Sequence, residues 1–467
     1  MIQEIKAPAY KTMKLNADVW TPVGIFQRLA GKKKFLLEST LPHEIKGKYS
    51  FIGTNPYEEL IGTAGKTIIN NLRNGESESS NEEVLSVLKN RMPQLDIDLP
   101  LPFFGGAIGY IGYDEIRQFE EIGSLPQDDL NMPDVHLMLY ENIFVFDHKD
   151  ETVHLIAINI GGSSENDLDG RLEELSKMLE RKPEHTGDIE NAEFKPEISK
   201  DAFKKNVERA KEFIHQGDIF QVVLSQRLQA DFKGEPFSFY RKLRRSNPSP
   251  YMFYIDFADY LVLGASPESL LQTKSSEIIT NPIAGTRPRS KDLGEDKRLE
   301  EELLADEKEI AEHKMLIDLG RNDLGRVCEI GSVKVPTYMQ IERYEHVMHI
   351  VSEVSGTLRS DYSSIDALIS CLPAGTVSGA PKIRAMQIIN ELEGKRRGVY
   401  GGGIGYIGFN GDLNMALAIR SLVVKEAKAY LQAGAGIVFD SVPQKEYEET
   451  LHKARSLMEV SKNDLAN

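Results

Sequence analysis

Gly105-Gly-Ala-Ile-Gly-Tyr-Ile-Gly112 recurs as Gly401-Gly-Gly-Ile-Gly-Tyr-Ile-Gly408, with seven of eight positions identical at an offset of 296. An aromatic residue follows each copy, Tyr113 and Phe409. Glycine inside a strand marks a place where another backbone comes close. The repeat is therefore either two ordinary glycine-rich strands or a pair of related strands that the two halves of the chain contribute to one architecture. The offset is far outside the ~20–50-residue period of a solenoid.

Around these copies, residues 142–146 and 152–159 are apolar, β-branched runs separated by His148-Lys-Asp-Glu151, which predicts a β-hairpin. Phe203, Val207, Ala210 and Ile214 recur at helical spacing before Gly217, predicting a helix over 200–215. The polar, proline-containing stretch 182–200 reads as a linker. It divides an N-terminal region (1–181) from a C-terminal region (201–467). Strand clusters mix with helices without a regular βαβ alternation, so the expected class is α+β. Neither G-x-G-x-x-G opening a helix nor G-x-x-x-x-G-K-[ST] occurs, which argues against a dinucleotide or P-loop enzyme.

Lys and Arg number 56 against 72 Asp and Glu, a net charge of −16 that disfavours nucleic acid as a partner. Two cysteines, Cys328 and Cys371, provide neither a disulfide framework nor a cysteine metal site. With no signal-peptide pattern at the N-terminus and no long apolar run, a cytoplasmic location is expected.

The chemistry-bearing patterns are concentrated in the C-terminal half. Glu309 and Glu312 are spaced i, i+3, as are Glu446 and Glu449, so each pair shares a helix face. Such pairs are either solvated acidic faces or a hard-oxygen site, for which Mg²⁺ is the natural cation. Pro373-Ala-Gly-Thr376-Val-Ser378-Gly-Ala-Pro381-Lys382 predicts a helix start with Ser378 as N-cap, a potential anion site. Gly285-Thr286 follows a β-branched run, and His349 lies on a strand-like stretch whose alternation places His346 and Met348 on the opposite face. Arg420 reads as a strand-borne guanidinium, and Gly434 and Gly436 as a glycine turn. Taken singly, each pattern has an ordinary structural explanation. Together they suit a small substrate with more than one carboxylate.

Read in order, GDIFQVVLSQ (217–226), NPSPYMFY (247–254), SPE (266–268), PIAGTR, DEKEIAEH, RNDLGRV, HVMHIVS, PAGTVSGAPKIRAM, YGGGIGYIGF, AIR and QAGAGIVFDSVPQKEYEET resemble the large-subunit family of anthranilate synthases, among the chorismate-utilising enzymes. The resemblance implies amination of chorismate with ammonia, then loss of pyruvate. It makes Glu312 and Glu449 direct Mg²⁺ ligands and Glu309 and Glu446 ligands through water. It gives Gly285, Thr286 and Thr376 to the ring carboxylate, and Tyr400, Arg420, Gly434 and Gly436 to the enolpyruvyl carboxylate. His349 becomes the acid/base of pyruvate loss. Ala284 stands where water-using relatives and many aminodeoxychorismate synthases carry Lys, which suits direct attack by ammonia.

Leu37, Glu38 and Ser39, with Pro250, Tyr251 and Met252, match the family's tryptophan feedback site, although Lys48 replaces a common Arg. Neither cysteine sits in a G-x-C-x-G elbow. The resemblance therefore implies a separate glutamine amidotransferase subunit and a hetero-oligomer. Aminodeoxychorismate synthase is the near alternative. A non-catalytic tryptophan-binding regulatory subunit is the alternative of another class.

Overall fold

The two glycine-rich copies are hydrogen-bonded to one another. In the computed structural model, which describes residues 10–39, 47–161, 165–184, 187–190, 192–344 and 347–460, Gly106–Ile111 runs antiparallel to Gly403–Gly408, with Gly109 opposite Gly405. A Cβ on Gly109 would lie 1.9 Å from the carbonyl oxygen of His136, and one on Gly405 2.1 Å from that of Asn414. The missing side chains thus admit the next strand on either side, Val135–Tyr140 and Leu413–Leu417. Both readings of the repeat hold at once: close backbone approach, and related strands at the centre of one sheet.

Among the described residues there are two sheets of 12 strands. Each takes strands from both sides of the 182–200 segment. In one, Phe35–Glu38 pairs with Tyr251–Asp256; in the other, the repeat is the joint. The N- and C-terminal regions are therefore interleaved in space, and the division between them is one of chain order. The 182–200 segment itself is anchored. Lys195–Pro196 pairs with Leu228 and Gln229, Ile189 bridges Gly234, and Ile189 and Phe194 are buried.

The sheets pack face to face, as successive side chains show. Phe35, Phe51, Val145 and Phe253 of the first sheet enter the core shared with Tyr110, Leu139 and Tyr406 of the second. Their chain neighbours Leu36, Ile52, Phe144 and Met252 point outward beneath helices Glu165–Glu180, Pro236–Ser246 and Pro443–Met458. Strands buried on both faces read as unbroken apolar runs rather than as alternation. Helices Glu307–Gly325 and Ser364–Cys371 cover the outer face of the second sheet through Ile317, Leu324 and Leu368. The class is α+β as expected. The hairpin forms from Asn142–Asp147 and Thr152–Ile158, and the helix spans Lys200–His215 with Ser199 as its N-cap.

Gly109→Ala is expected to cost at least ~3 kcal/mol, because a backbone carbonyl cannot retreat as a side chain can. Gly170→Ala, in an exposed helical position with nothing within 4 Å, should instead stabilise by ~0.5–1 kcal/mol. Urea-denaturation midpoints of the two variants check both signs.

Candidate active site

Asp306 caps the Glu307–Gly325 helix, its carboxylate accepting from the backbone N–H groups of Lys308 and Glu309. Glu309 and Glu312 follow within the first two turns. Burial, and then the neighbouring Glu312 charge, push the Glu309 carboxyl up from the ordinary range. Arg287 lies 3.8 Å from Glu309, and Glu312 accepts from Gln221 Nε2 at 3.1 Å. On the Pro443–Met458 helix, Glu446 is buried and likewise pushed up, by burial first, with Glu449 adding to it and a hydrogen bond from Ser441 opposing. Glu449 pairs with Lys453 at 2.8 Å. Lys308 of the first helix acts on Glu446 of the second, so the two acidic faces are neighbours.

Among the described residues no three His, Cys, Asp or Glu side chains converge on a metal position. The donor chemistry nevertheless suits a hard divalent cation. All four groups are carboxylates, and the charge of each pair raises the proton affinity of a buried member. Each carboxylate rests on a partner from the protein itself.

The next wall is the strand Ile283–Pro288, which pairs with Val347–Thr357 through a bulge between Ala284 and Thr286. Gly285 occupies the bulge at φ +69°, where a Cβ would press on Leu303 and approach Glu309 Oε2 at 3.3 Å. Thr286 stands opposite His349 in the ladder. His349 Nδ1 donates to the Gly285 carbonyl oxygen at 2.9 Å, since a carbonyl can only accept. Burial lowers the His349 pKa, the Gly285 hydrogen bond opposes this, and the Arg420 charge lowers it further. The ring is therefore neutral at pH 7 with Nδ1 protonated, and Nε2 carries the free lone pair. Met348, on the other face, is fully buried; His346 lies outside the described residues.

Three expectations about local structure change here. Arg420 is not on a strand but in the bend, at φ +50°, where the chain leaves Leu413–Leu417 in one sheet for Ser421–Lys425 in the other. It reaches the carbonyl oxygen of Lys453. Gly434 and Gly436 do not form a turn; they lie within strand Lys428–Ile437, opposite Ser225 and Val223. A Cβ there would stand 2.7 Å from the Tyr400 hydroxyl or 2.6 Å from Gln221 Nε2, so the glycines leave room for those groups. Ser378 does not cap a helix. Residues Gly379–Ala380 pair with Gln221 and Val222, and the helix starts at Lys382 after Pro381, with no side-chain cap. The ladder claims the backbone that a helix N-terminus would have left free.

Thr376 donates to Glu268 Oε1 at 2.7 Å. Burial drives Glu268 up to about 7, against the Thr376 hydrogen bond and the Lys453 charge, so this carboxyl is divided between its acid and carboxylate forms around neutrality. Together with Asn281, Leu319 and Asp323, the pair bounds a cavity. Beside it, the buried Arg397–Glu393 ion pair (2.6 Å) ties the Val377 and Val223 carbonyls together, and its guanidinium stands 5.6 Å from the Tyr400 ring. The sequence reading gave no role to Glu268, Gln221 or Lys453. Glu268 and Gln221 lay inside quoted motifs, and an acidic residue directly after Ser-Pro between two apolar strands was the available signal.

The second predicted site also assembles. Glu38 pairs with Met252 across the sheet, and Leu37 with Phe253. Glu38 accepts from Tyr240 Oη (2.7 Å) and Arg244 Nε (2.9 Å) beneath the Pro236–Ser246 helix. Pro250 and Met252 are buried, and Tyr251 accepts from Gln272. Two buried polar atoms there have no hydrogen-bond partner, Glu38 Oε1 and Ser39 Oγ.

The sequence profile of the chorismate binding enzymes matches residues 32–459. The chain is 45% identical over 455 residues to anthranilate synthase component 1 of Lactococcus lactis subsp. lactis, covering 96% of this chain and 99% of the relative. It is 45% identical over 451 residues to the component 1 of Thermus thermophilus, covering 95% and 96%. The crystal structure of anthranilate synthase component I from Streptococcus pneumoniae superposes with a TM-score of 0.83 at 43% identity, covering 95% of this chain and 99% of that one. The menaquinone-specific isochorismate synthase of Escherichia coli shares the fold, with a TM-score of 0.75 at 19% identity over 97% and 95% of the two chains. The candidate site is thus built on a known enzyme scaffold, and the chain belongs to the chorismate-binding enzyme family.

Proposed function

We propose that this chain converts chorismate and ammonia into anthranilate and pyruvate, as an anthranilate synthase component I of tryptophan biosynthesis. The observation that carries the reading is the placement of two differently poised proton carriers around Tyr400 and Arg420: neutral His349 with a free Nε2, and Glu268 with a pKa of about 7. Amination must expel the ring hydroxyl as water, which requires a proton at the departing oxygen; Glu268, still partly protonated at pH 7, is the group that can supply it. Pyruvate loss requires a proton to be removed from the aminated ring carbon, and the Nε2 lone pair of His349 is the base. Thr286, Thr376 and the bulge at Gly285 position the ring carboxylate. Tyr400, Arg420, Gly434 and Gly436 hold the enolpyruvyl carboxylate. Glu309, Glu312, Glu446 and Glu449 would hold Mg²⁺, which when bound supplies positive charge for a substrate carboxylate.

The ammonia comes from glutamine through a second protein. Cys328 and Cys371 are both buried, and burial pushes the Cys371 thiol up to about 12, the reverse of what a nucleophilic thiol needs. Tryptophan binds at Glu38 and Ser39, whose orphaned buried oxygens would otherwise each cost roughly 1–3 kcal/mol.

Incubated with chorismate, Mg²⁺ and ammonium at alkaline pH, the protein should release anthranilate, seen by fluorescence, and pyruvate in equal amounts. An aminated product without pyruvate would instead identify an aminodeoxychorismate synthase. The two proton carriers should separate by step. Glu268→Gln slows amination by roughly 10²–10⁴-fold, whereas His349→Ala lets the aminated intermediate accumulate, with pyruvate loss slowed by a similar factor. The acid limb of pyruvate loss should fall below pH 6.5, because the His349 pKa is lowered, and should vanish in the variant. Parallel loss of both steps in each variant argues against the assignment. Ser39→Phe should weaken tryptophan inhibition by roughly tenfold or more while ammonium-driven turnover persists, measured by titrating tryptophan into the assay; unchanged inhibition would remove tryptophan from this site.

A further inference from the structure

We propose that an exposed apolar rim at Phe220, Phe439 and Val442 is the docking surface for the glutamine amidotransferase that feeds the cleft. The inference rests on the ammonia-dependent reading above and adds where the partner sits.

Phe220 is 76% exposed, Phe439 57% and Val442 46%, large values for side chains that water disfavours. Their position follows from the ladder. Val222 pairs with Ile437, so Phe220 and Phe439 stand two residues beyond that rung, just past the ends of the two adjoining strands. They extend to the surface the apolar row that Val222 and Ile437 begin inside the core. The rim is held in shape. His215 packs edge-on against the Phe439 ring at 4.6 Å, Lys211 donates to the Ser441 carbonyl at 2.6 Å, and the Phe220 N–H donates to Ala380 at 2.8 Å. A polar border accompanies it, including the Arg384–Asp218 pair. Apolar centre and charged edge are the composition of a protein interface.

Its location selects the partner. Gln221, one residue past Phe220, turns into the cleft and donates to Glu312, and Val442 is the N-cap of the helix that carries Glu446 and Glu449. A protein seated on Phe220, Phe439 and Val442 therefore abuts the end of the cleft where the acidic helices begin. The chain needs ammonia there and has no accessible thiol with which to release it from glutamine. The relatives most like it are component 1 of their enzymes, a numbering that implies a second component.

The test uses the full chain and the purified class I glutamine amidotransferase from the same genome, with complex formation and turnover measured separately. In the Phe220→Ser/Phe439→Ser variant, the complex seen for wild type by size-exclusion chromatography with light scattering should dissociate, and glutamine-driven anthranilate formation should fall at least about tenfold. Ammonium-driven formation should stay within about twofold, which also certifies the fold. Ile330→Ser, which removes a still more exposed apolar side chain at a turn, should change neither. A variant complex as tight as wild type overturns the proposal. So does a wild-type chain that is dimeric alone and becomes monomeric in the variant, since the rim would then join two copies of this chain. Failure of wild type to make anthranilate from ammonium counts against the proposed function, while the docking surface is still judged by the complex.

Discussion

The contact of Gly109 with Gly405 is the constraint on which the rest depends. Two strands from opposite halves of the chain lie side by side there, and each is flanked on its other side by a carbonyl about 2 Å from where a Cβ would sit. Only glycine allows this spacing. Once the two strands are paired, the C-terminal half cannot complete its sheet without the N-terminal half. The first sheet is joined across the two halves in the same way, where Phe35–Glu38 meets Tyr251–Asp256.

That interleaving places both candidate sites. The chain passes from one sheet to the other at Ala418–Arg420, and the left-handed bend delivers Arg420 to the cleft beside Tyr400. The buried Arg397–Glu393 pair fastens the neighbouring loop to strand Gln221–Asp231. Removing either partner would strand a charge in the interior, a cost of about 3–5 kcal/mol. On the outer face of the other joint, Glu38 and Met252 meet under Tyr240 and Arg244. The predicted regulatory site is thus made from the same seam that holds the halves together, with Leu37 on the core side of the strand and Glu38 on the other.

Burial sets the chemistry of the cleft. It drives Glu268 up and His349 down, so that a partly protonated carboxyl and a neutral imidazole coexist near pH 7. It also pushes up Glu309 and Glu446 while their neighbours Glu312 and Glu449 are held by Gln221 and Lys453. A cation shared by these groups would have to compete with protein partners already in place.

The glycine repeat, the 142–159 hairpin, the 200–215 helix and the two i, i+3 carboxylate pairs were legible from local pattern, because spacing and turn chemistry act over a few residues. The resemblance assigned Arg420, Gly434 and Gly436 to the substrate site, and local pattern made Ser378 an N-cap, yet the local structure of all four differs from that reading. Pairing with Gln221, Val222, Val223 and Ser225, and the change of sheet at Arg420, involve strands far away in the chain. By itself the sequence determined the repeat strands, the hairpin, the 200–215 helix, the acidic faces and the family. Only the tertiary structure decided that the N- and C-terminal regions share both sheets, that His349 keeps Nε2 free, and that Glu268 is raised to about 7. Those properties come from desolvation and long-range hydrogen bonds, which exist only when distant segments exclude water together.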